Sequence, residues 1–267
     1  MRRKNMTVLL FSGGNDSTLL LHFAARRMEL DAVLHCDTGI GISETQDFVR
    51  HAASELDAPL YVYKAAENQR ADGTLEPMVY EDLVMKHGFP GPSAHRLMFI
   101  KLKQRSLERF KRDHCPTSGI TYITGARRDE SARRKINVTG EYQQRKRTLW
   151  HNPLWNWDAQ DMERYRKIYN VPLNPVSERL GMSGECLCGA YAKPGELARI
   201  GKHYPAAAER IQKLEKRFAN HCEAIGMPSW GWEGKPPRWW QEHKRGQQAL
   251  FSEQIMCSGC AIKGRSS

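Results

Sequence analysis

Met6 to Phe11 is an apolar run that stops at Ser12-Gly13-Gly14-Asn15-Asp16-Ser17, after which Thr18-Leu19-Leu20-Leu21-His22-Phe23-Ala24 resumes at helical spacing. The pattern predicts a strand, a glycine turn and a helix. The alternation then repeats. Asp31 to His35 reads as a second strand, Ser43 to Leu56 as an amphipathic helix capped by Ser43, Pro59 to Lys64 as a third strand and Ile120 to Thr124 as a fourth. Between the third and fourth strands, Glu67 to Pro92 mixes a polar loop, a short helix (Met78 to His87) and a Gly-Phe-Pro-Gly-Pro turn cluster, and a long basic helix runs from His95 to Arg112. Strands alternating with helices imply an α/β fold, a Rossmann-like and mainly parallel sheet with helices on both faces. Apolar positions at Ile211, Leu214, Phe218, Cys222 and Ile225 recur at helical spacing, so a C-terminal helical appendage is expected. The expected division is an α/β domain over residues 1–185 and a helical region over 186–267.

In an open parallel sheet, ligands sit beyond the carboxyl ends of strands where the strand order reverses. Three loops converge there: Ser12 to Thr18, Asp37-Thr38-Gly39, and Gly125-Ala126-Arg127-Arg128-Asp129-Glu130-Ser131. Paired glycines between a strand and a helix let several backbone N–H groups and the positive helix end face one point, which suits a phosphate. A carboxylate at Asp16 repels such an anion unless a divalent cation lies between, and Mg²⁺ is the inferred ion. No Lys follows the glycines, so this is not the G-x-x-x-x-G-K-[ST] loop.

The Ser12–Ser17 turn resembles the SGGxDS pyrophosphate loop of the adenine-nucleotide alpha-hydrolase superfamily (HUP-type folds), whose members bind ATP or a sulfonucleotide. His35-Cys36-Asp37-Thr38-Gly39, followed by Ser43-Glu44-Thr45 and Phe48, is similar to the second-strand signature of the phosphoadenosine phosphosulfate (PAPS) reductase branch. Gly125, Arg127, Glu130, Ser131 and Arg134 match its G-x-R-x-x-E-S-x-x-R element. Pro153, Leu154, Asp161, Met162 and Tyr165, with the turn Pro172-Leu173-Asn174-Pro175, match a further segment that reads as structural. The resemblance spans roughly residues 6–185, about two thirds of the chain. It implies that Ser12, Gly13, Gly14, Asn15, Asp16, Ser17 and Thr18 hold phosphates and that Asp37, Thr38 and Gly39 lie beside adenine and ribose. Gly125, Arg127 and Arg128 would meet phosphate or ribose, with Glu130 and Ser131 fixing that loop. Asp16 and Arg127 would serve catalysis. The implied reaction is cleavage of ATP between its α and β phosphates, releasing pyrophosphate.

The chain also departs from the reductases. Their C-terminal E-C-G-x-H nucleophile is missing, since the sequence closes around Cys257-Ser258-Gly259-Cys260, and no cysteine pair lies near His95-Arg96-Leu97. Cys186 and Cys188 with Cys257 and Cys260 give instead a four-thiolate count, open to a [4Fe–4S] cluster, a Zn²⁺ ion or redox thiols, while Cys36, Cys115 and Cys222 read as ordinary buried cysteines. Sulfonucleotide reduction using Cys257 or Cys260, and nucleotide sensing without turnover, therefore stay beside ATP cleavage as readings.

Forty-one Lys plus Arg against 30 Asp plus Glu leave a net charge of +11, which favours a polyanionic partner, nucleic acid or a nucleic-acid-bound complex, besides the nucleotide. Superfamily settings of that kind include DNA phosphorothioation and accessory proteins of some CRISPR systems. Trp230, Trp232, Trp239 and Trp240, set among basic residues, either stack on bases or seal the tail. The absence of a long apolar run and the odd number of cysteines (7) lead to the expectation of a cytoplasmic protein with reduced or metal-bound thiols and no membrane contact.

Overall fold

The computed structural model describes residues 5–69, 73–75, 79–115, 117–128, 138, 140–219 and 229–231. Six strands form one sheet in the order β3-β2-β1-β4-β6-β5, with β1 at Met6–Leu10, β2 at Ala32–Asp37, β3 at Leu60–Lys64, β4 at Ile120–Ile123, β5 at Tyr142–Arg145 and β6 at Thr148–His151. All neighbouring pairs are parallel except β5 against β6. The chain moves outward from β1 to β3 and then returns to β4 on the other side of β1. The order therefore reverses at the carboxyl end of β1, where the Ser12–Ser17 turn lies.

Helix α1 (Asn15–Arg27), α2 (Ser43–Ser54) and α6 (Ala159–Tyr169) cover one face, burying Leu19, Leu20, Val49, Met162 and Tyr165 with Leu9, Val33 and Ile123 of the sheet. The other face carries α4 (His95–Phe99), a π-helical turn (Ile100–Gln104) and α5 (Arg105–His114), whose Leu107 and Phe110 pack on Leu34 and Tyr122. A third apolar cluster joins α3 (Val79–His87), α7 (Pro175–Leu180), α8 (Glu196–His203) and α9 (Pro205–Ala219) around Tyr80, Leu187, Ile211 and Trp230. No described helix is long and apolar enough to cross a membrane.

Three expectations need correction. Ser43 does not cap α2: Ile42 occupies the cap position without a side-chain bond, and the Ser43 hydroxyl donates to Glu44 at 2.9 Å. The β5–β6 hairpin occupies Tyr142–His151, a stretch read only as a basic cluster. The long basic helix is interrupted at Ile100–Gln104, where widening to i→i+5 spacing re-aims Lys103 and Gln104.

Candidate anion site at the end of the first strand

The turn is built so that its main chain faces outward and its side chains brace it from behind. Gly13 has φ +73°, a conformation that costs an L-residue strain, and a Cβ there would come within 2.8 Å of Val49 Cγ2 and 3.0 Å of Thr45 Cγ2 on α2. Ser17 Oγ donates to Gly14 O at 2.9 Å and lies 3.0 Å from Ser12 Oγ, while the buried Thr18 hydroxyl donates to the same Gly14 carbonyl. Gly14 caps α1 with no side chain in the way, so the first-turn amides of the helix have no intrahelical acceptor and the positive helix end is open.

Distant segments hold the turn. Asn174, fully buried, donates through Nδ2 to Gly13 O at 2.8 Å, and its main-chain N–H donates to Asn15 Oδ1 at 3.3 Å. Gly125, after β4, packs its Cα side 3.6 Å from the Asp16 backbone. Asp16, assigned on sequence to a cation, meets two guanidinium groups instead. Arg127 donates to Asp16 Oδ2 from Nε at 3.1 Å and from Nη2 at 3.0 Å, and Arg166 on α6 approaches Oδ1 at 3.6 Å while donating to Asn15 O at 3.0 Å. Burial lowers the Arg166 pKa first, Asp16 opposes that, and Arg127 adds to it. With both carboxylate oxygens facing arginines, Asp16 does not fit a magnesium ligand, and no step below is routed through a metal at this position.

A cavity of about 680 Å³ opens from the turn. Ser12, Gly14, Asn15, Asp16, Ser17 and Gly125 line one end. It continues past Leu34 and Cys36 of β2 and under Lys103 and Leu107, then out over Arg145 and Trp150 of the hairpin. That size suits a nucleotide-sized ligand. Lys103 Nζ and Glu185 Oε2 form a 2.9 Å ion pair in its wall, both side chains buried. Burial, with Glu185 adding, pushes the Cys36 thiol up to about 12.

Asp37, Thr38 and Gly39 do not line this cavity; Leu34 and Cys36 just before them do. Asp37 accepts from Gly39 N–H and Gln46, Thr38 is buried and donates to Glu185 O, and Gly39 O accepts from Arg210 of α9. These bonds shape the wall from outside. Arg127 reaches the site through Asp16, and Arg128 is fixed by its N–H to Trp155 O at 3.0 Å. Glu130, Ser131, Cys257 and Cys260 lie outside the described residues. Cys186 is half-buried and Cys188 is buried in the third apolar cluster, where Tyr80 donates to Cys188 O. Two thiols fall short of a four-ligand set, and the described residues hold no group of three or more metal-binding side chains. Sequence reading missed Arg166, Lys103 and Glu185, which carry no local signature; Asn174 had been read only as part of a turn.

A parallel sheet whose switch point opens on a glycine turn, backed by arginines and continuous with a deep cleft, defines an anion-binding protein of the Rossmann-like class. More narrowly, residues 6–225 match the phosphoadenosine phosphosulfate reductase domain, and the chain belongs to that family. It is 37% identical over 109 residues to an adenosine 5'-phosphosulfate reductase of Rhizobium tropici, covering 40% of this chain and 59% of that protein. Identity is 29% over 212 residues to a sulfate adenylyltransferase subunit 2 of Zymomonas mobilis, covering 66% and 64% respectively. With an uncharacterized protein of Methanocaldococcus jannaschii it is 25% over 240 residues, or 85% of this chain and 52% of that one. The chain thus spans between about half and two thirds of the length of these relatives. Among solved structures, the PAPS reductase of Candida auris superposes with a TM-score of 0.49 at 19% identity, over 67% of this chain and 80% of that one.

Proposed function

We propose that the chain binds ATP in this cavity and cleaves it between the α and β phosphates, passing the adenylyl group to an acceptor. The observation that carries the reading is the outward-facing Ser12–Ser17 turn, rigidly backed and flanked by Arg127 and Arg166. In such a reaction an acceptor oxygen attacks the α phosphorus, the bond to the bridging oxygen breaks, and that oxygen leaves with the electron pair as part of pyrophosphate. The leaving group is the end that gains charge, so donors belong around it. The α1 amides and the Ser12 and Ser17 hydroxyls would hold it, and Arg127 would offset the charge that develops. The apolar stretch at Leu34 and Cys36 would take the base. No protein nucleophile is required, because the acceptor attacks directly. Likeness to a sulfate adenylyltransferase subunit supports adenylyl transfer, and the net charge of +11 favours a polyanionic acceptor such as nucleic acid.

Likeness to an adenosine 5'-phosphosulfate reductase supports a second reading, with a sulfonucleotide in the same cleft. Reduction needs a thiolate there. Cys36 is the one described cysteine lining the cavity, and a thiol pushed up to about 12 is a poor attacker at neutral pH. Incubation with α-labelled ATP, with and without nucleic acid or sulfate, tests the first reading by the appearance of labelled AMP or an adenylylated acceptor together with pyrophosphate. Sulfite release from a sulfonucleotide in the presence of thioredoxin, with no cleavage of ATP, would reverse the ranking.

A further inference from the structure

We infer that Asp16 anchors a two-arginine anion clamp and is not a magnesium ligand, and that Arg166 is the second arm of that clamp, facing the phosphate chain. The inference rests on the nucleotide reading above. Its observations are separate, however. Arg127 arrives from the loop after β4 and Arg166 from the middle of α6, and the Asp16 carboxylate is the group on which they meet. Two guanidinium charges against one carboxylate leave an uncompensated positive charge beside the open amides of α1. Arg166 Nε is buried and has no hydrogen-bond partner, while its Nη2 is taken up by Asn15 O and Asp16. A buried guanidinium donor without an acceptor is costly, and an anion seated on the turn supplies an acceptor. The carboxylate beside a phosphate cradle, which seemed to demand a metal, is accounted for: its counter-charges are already present on the protein.

Arg166 is on this account a binding residue and Asp16 a positioning residue, and inorganic pyrophosphate is the probe that separates them from catalysis. Calorimetry on the full chain in EDTA should show pyrophosphate binding by the wild type. Arg166→Ala should bind about tenfold or more weakly, in line with the loss of a charge-assisted hydrogen bond, and Arg166→Lys should recover part of that loss. Repeating the titrations with magnesium gives a ratio of affinities with and without metal. That ratio should be the same in Asp16→Asn as in the wild type. A magnesium enhancement that disappears in Asp16→Asn would overturn the inference, as would an Arg166→Ala variant that binds like the wild type or a wild type that ignores pyrophosphate without metal. Circular dichroism on each variant separates unfolding from lost contacts. Pyrophosphate binding that follows this pattern in a protein that never cleaves ATP would sink the proposed reaction and leave the clamp standing.

Discussion

Replacing Gly13 with alanine perturbs the turn in two separable ways. A residue with a Cβ held at φ +73° costs roughly 1–2 kcal/mol of backbone strain. The new methyl would also lie 2.8 Å from Val49 Cγ2 and 3.0 Å from Thr45 Cγ2, and both neighbours are β-branched residues on a helix, so neither rotates away easily. Overpacking of that kind adds roughly 1–3 kcal/mol. Gly195 supplies the control, because its φ is +76° and a Cβ there meets nothing within 4 Å. Gly195→Ala should therefore show strain alone, roughly 1–2 kcal/mol, and the entropy that alanine removes from the unfolded chain is common to both variants and cancels. Urea unfolding of the two variants isolates the contact between the turn and α2, and Gly13→Ala should be the less stable by at least about 1 kcal/mol. Equal losses would mean that α2 does not press on Gly13, and the rigid backing of the turn would have to be abandoned.

Asn174→Ala removes both the donor to Gly13 O and the acceptor for Val176 N–H, and should cost about 2–4 kcal/mol in urea unfolding. Asn174→Asp keeps the Val176 bond, so it should unfold later than Asn174→Ala while binding pyrophosphate no better than that variant. Lys103→Met strands the Glu185 carboxylate in the cavity wall and should destabilise by about 3–5 kcal/mol, with most of the loss recovered in Lys103→Met/Glu185→Leu. No recovery in the double variant would show that the pair does not act as a unit. At pH 8 a thiol at about 12 is ionised in roughly one molecule in ten thousand, so Cys36 should stay unlabelled by iodoacetamide in the folded protein and react after urea treatment. Mass spectrometry showing prompt labelling of Cys36 in the native state would refute its burial.

The parts of this molecule that could be read from sequence are those whose physics is local. β1, the turn and α1 are consecutive, and an apolar run, two glycines and a helical repeat specify them without reference to the rest of the chain. The β5–β6 hairpin was invisible for an equally local reason. Its turn at Lys146-Arg147 places Lys146 at φ +50° without the Asn-Gly or Gly signal that usually marks such turns. Its outer strand is polar and exposed, as an edge strand protected from further pairing should be. Arg166 and Asn174 act on the turn from 151 and 161 residues away, and nothing at either position distinguishes an arginine on a solvated helix face from one that meets Asp16. The role of Asp16 was misjudged because its counter-charges were out of sequence range.

That distance has a consequence for how the turn binds anions. Glycine allows the main chain to face outward but also leaves it free to adopt other shapes, so a Gly-Gly segment alone would lose entropy on gripping a ligand. Here that entropy is lost in folding. Thr45 and Val49 block one side of Gly13, Asn174 ties its carbonyl, Arg166 ties the next turn of chain at Asn15, and Gly125 closes on the backbone of Asp16. Thr45 in turn donates to Ser183 O at 2.6 Å, which brings the segment running to Glu185 and the cavity wall into the same bracing. Affinity at the turn should therefore track the stability of α2, α6 and the Asn174 turn as much as the chemistry of the turn itself. Substitutions in those elements that touch no ligand, such as those at Asn174, should weaken pyrophosphate binding in proportion to how far they loosen the brace.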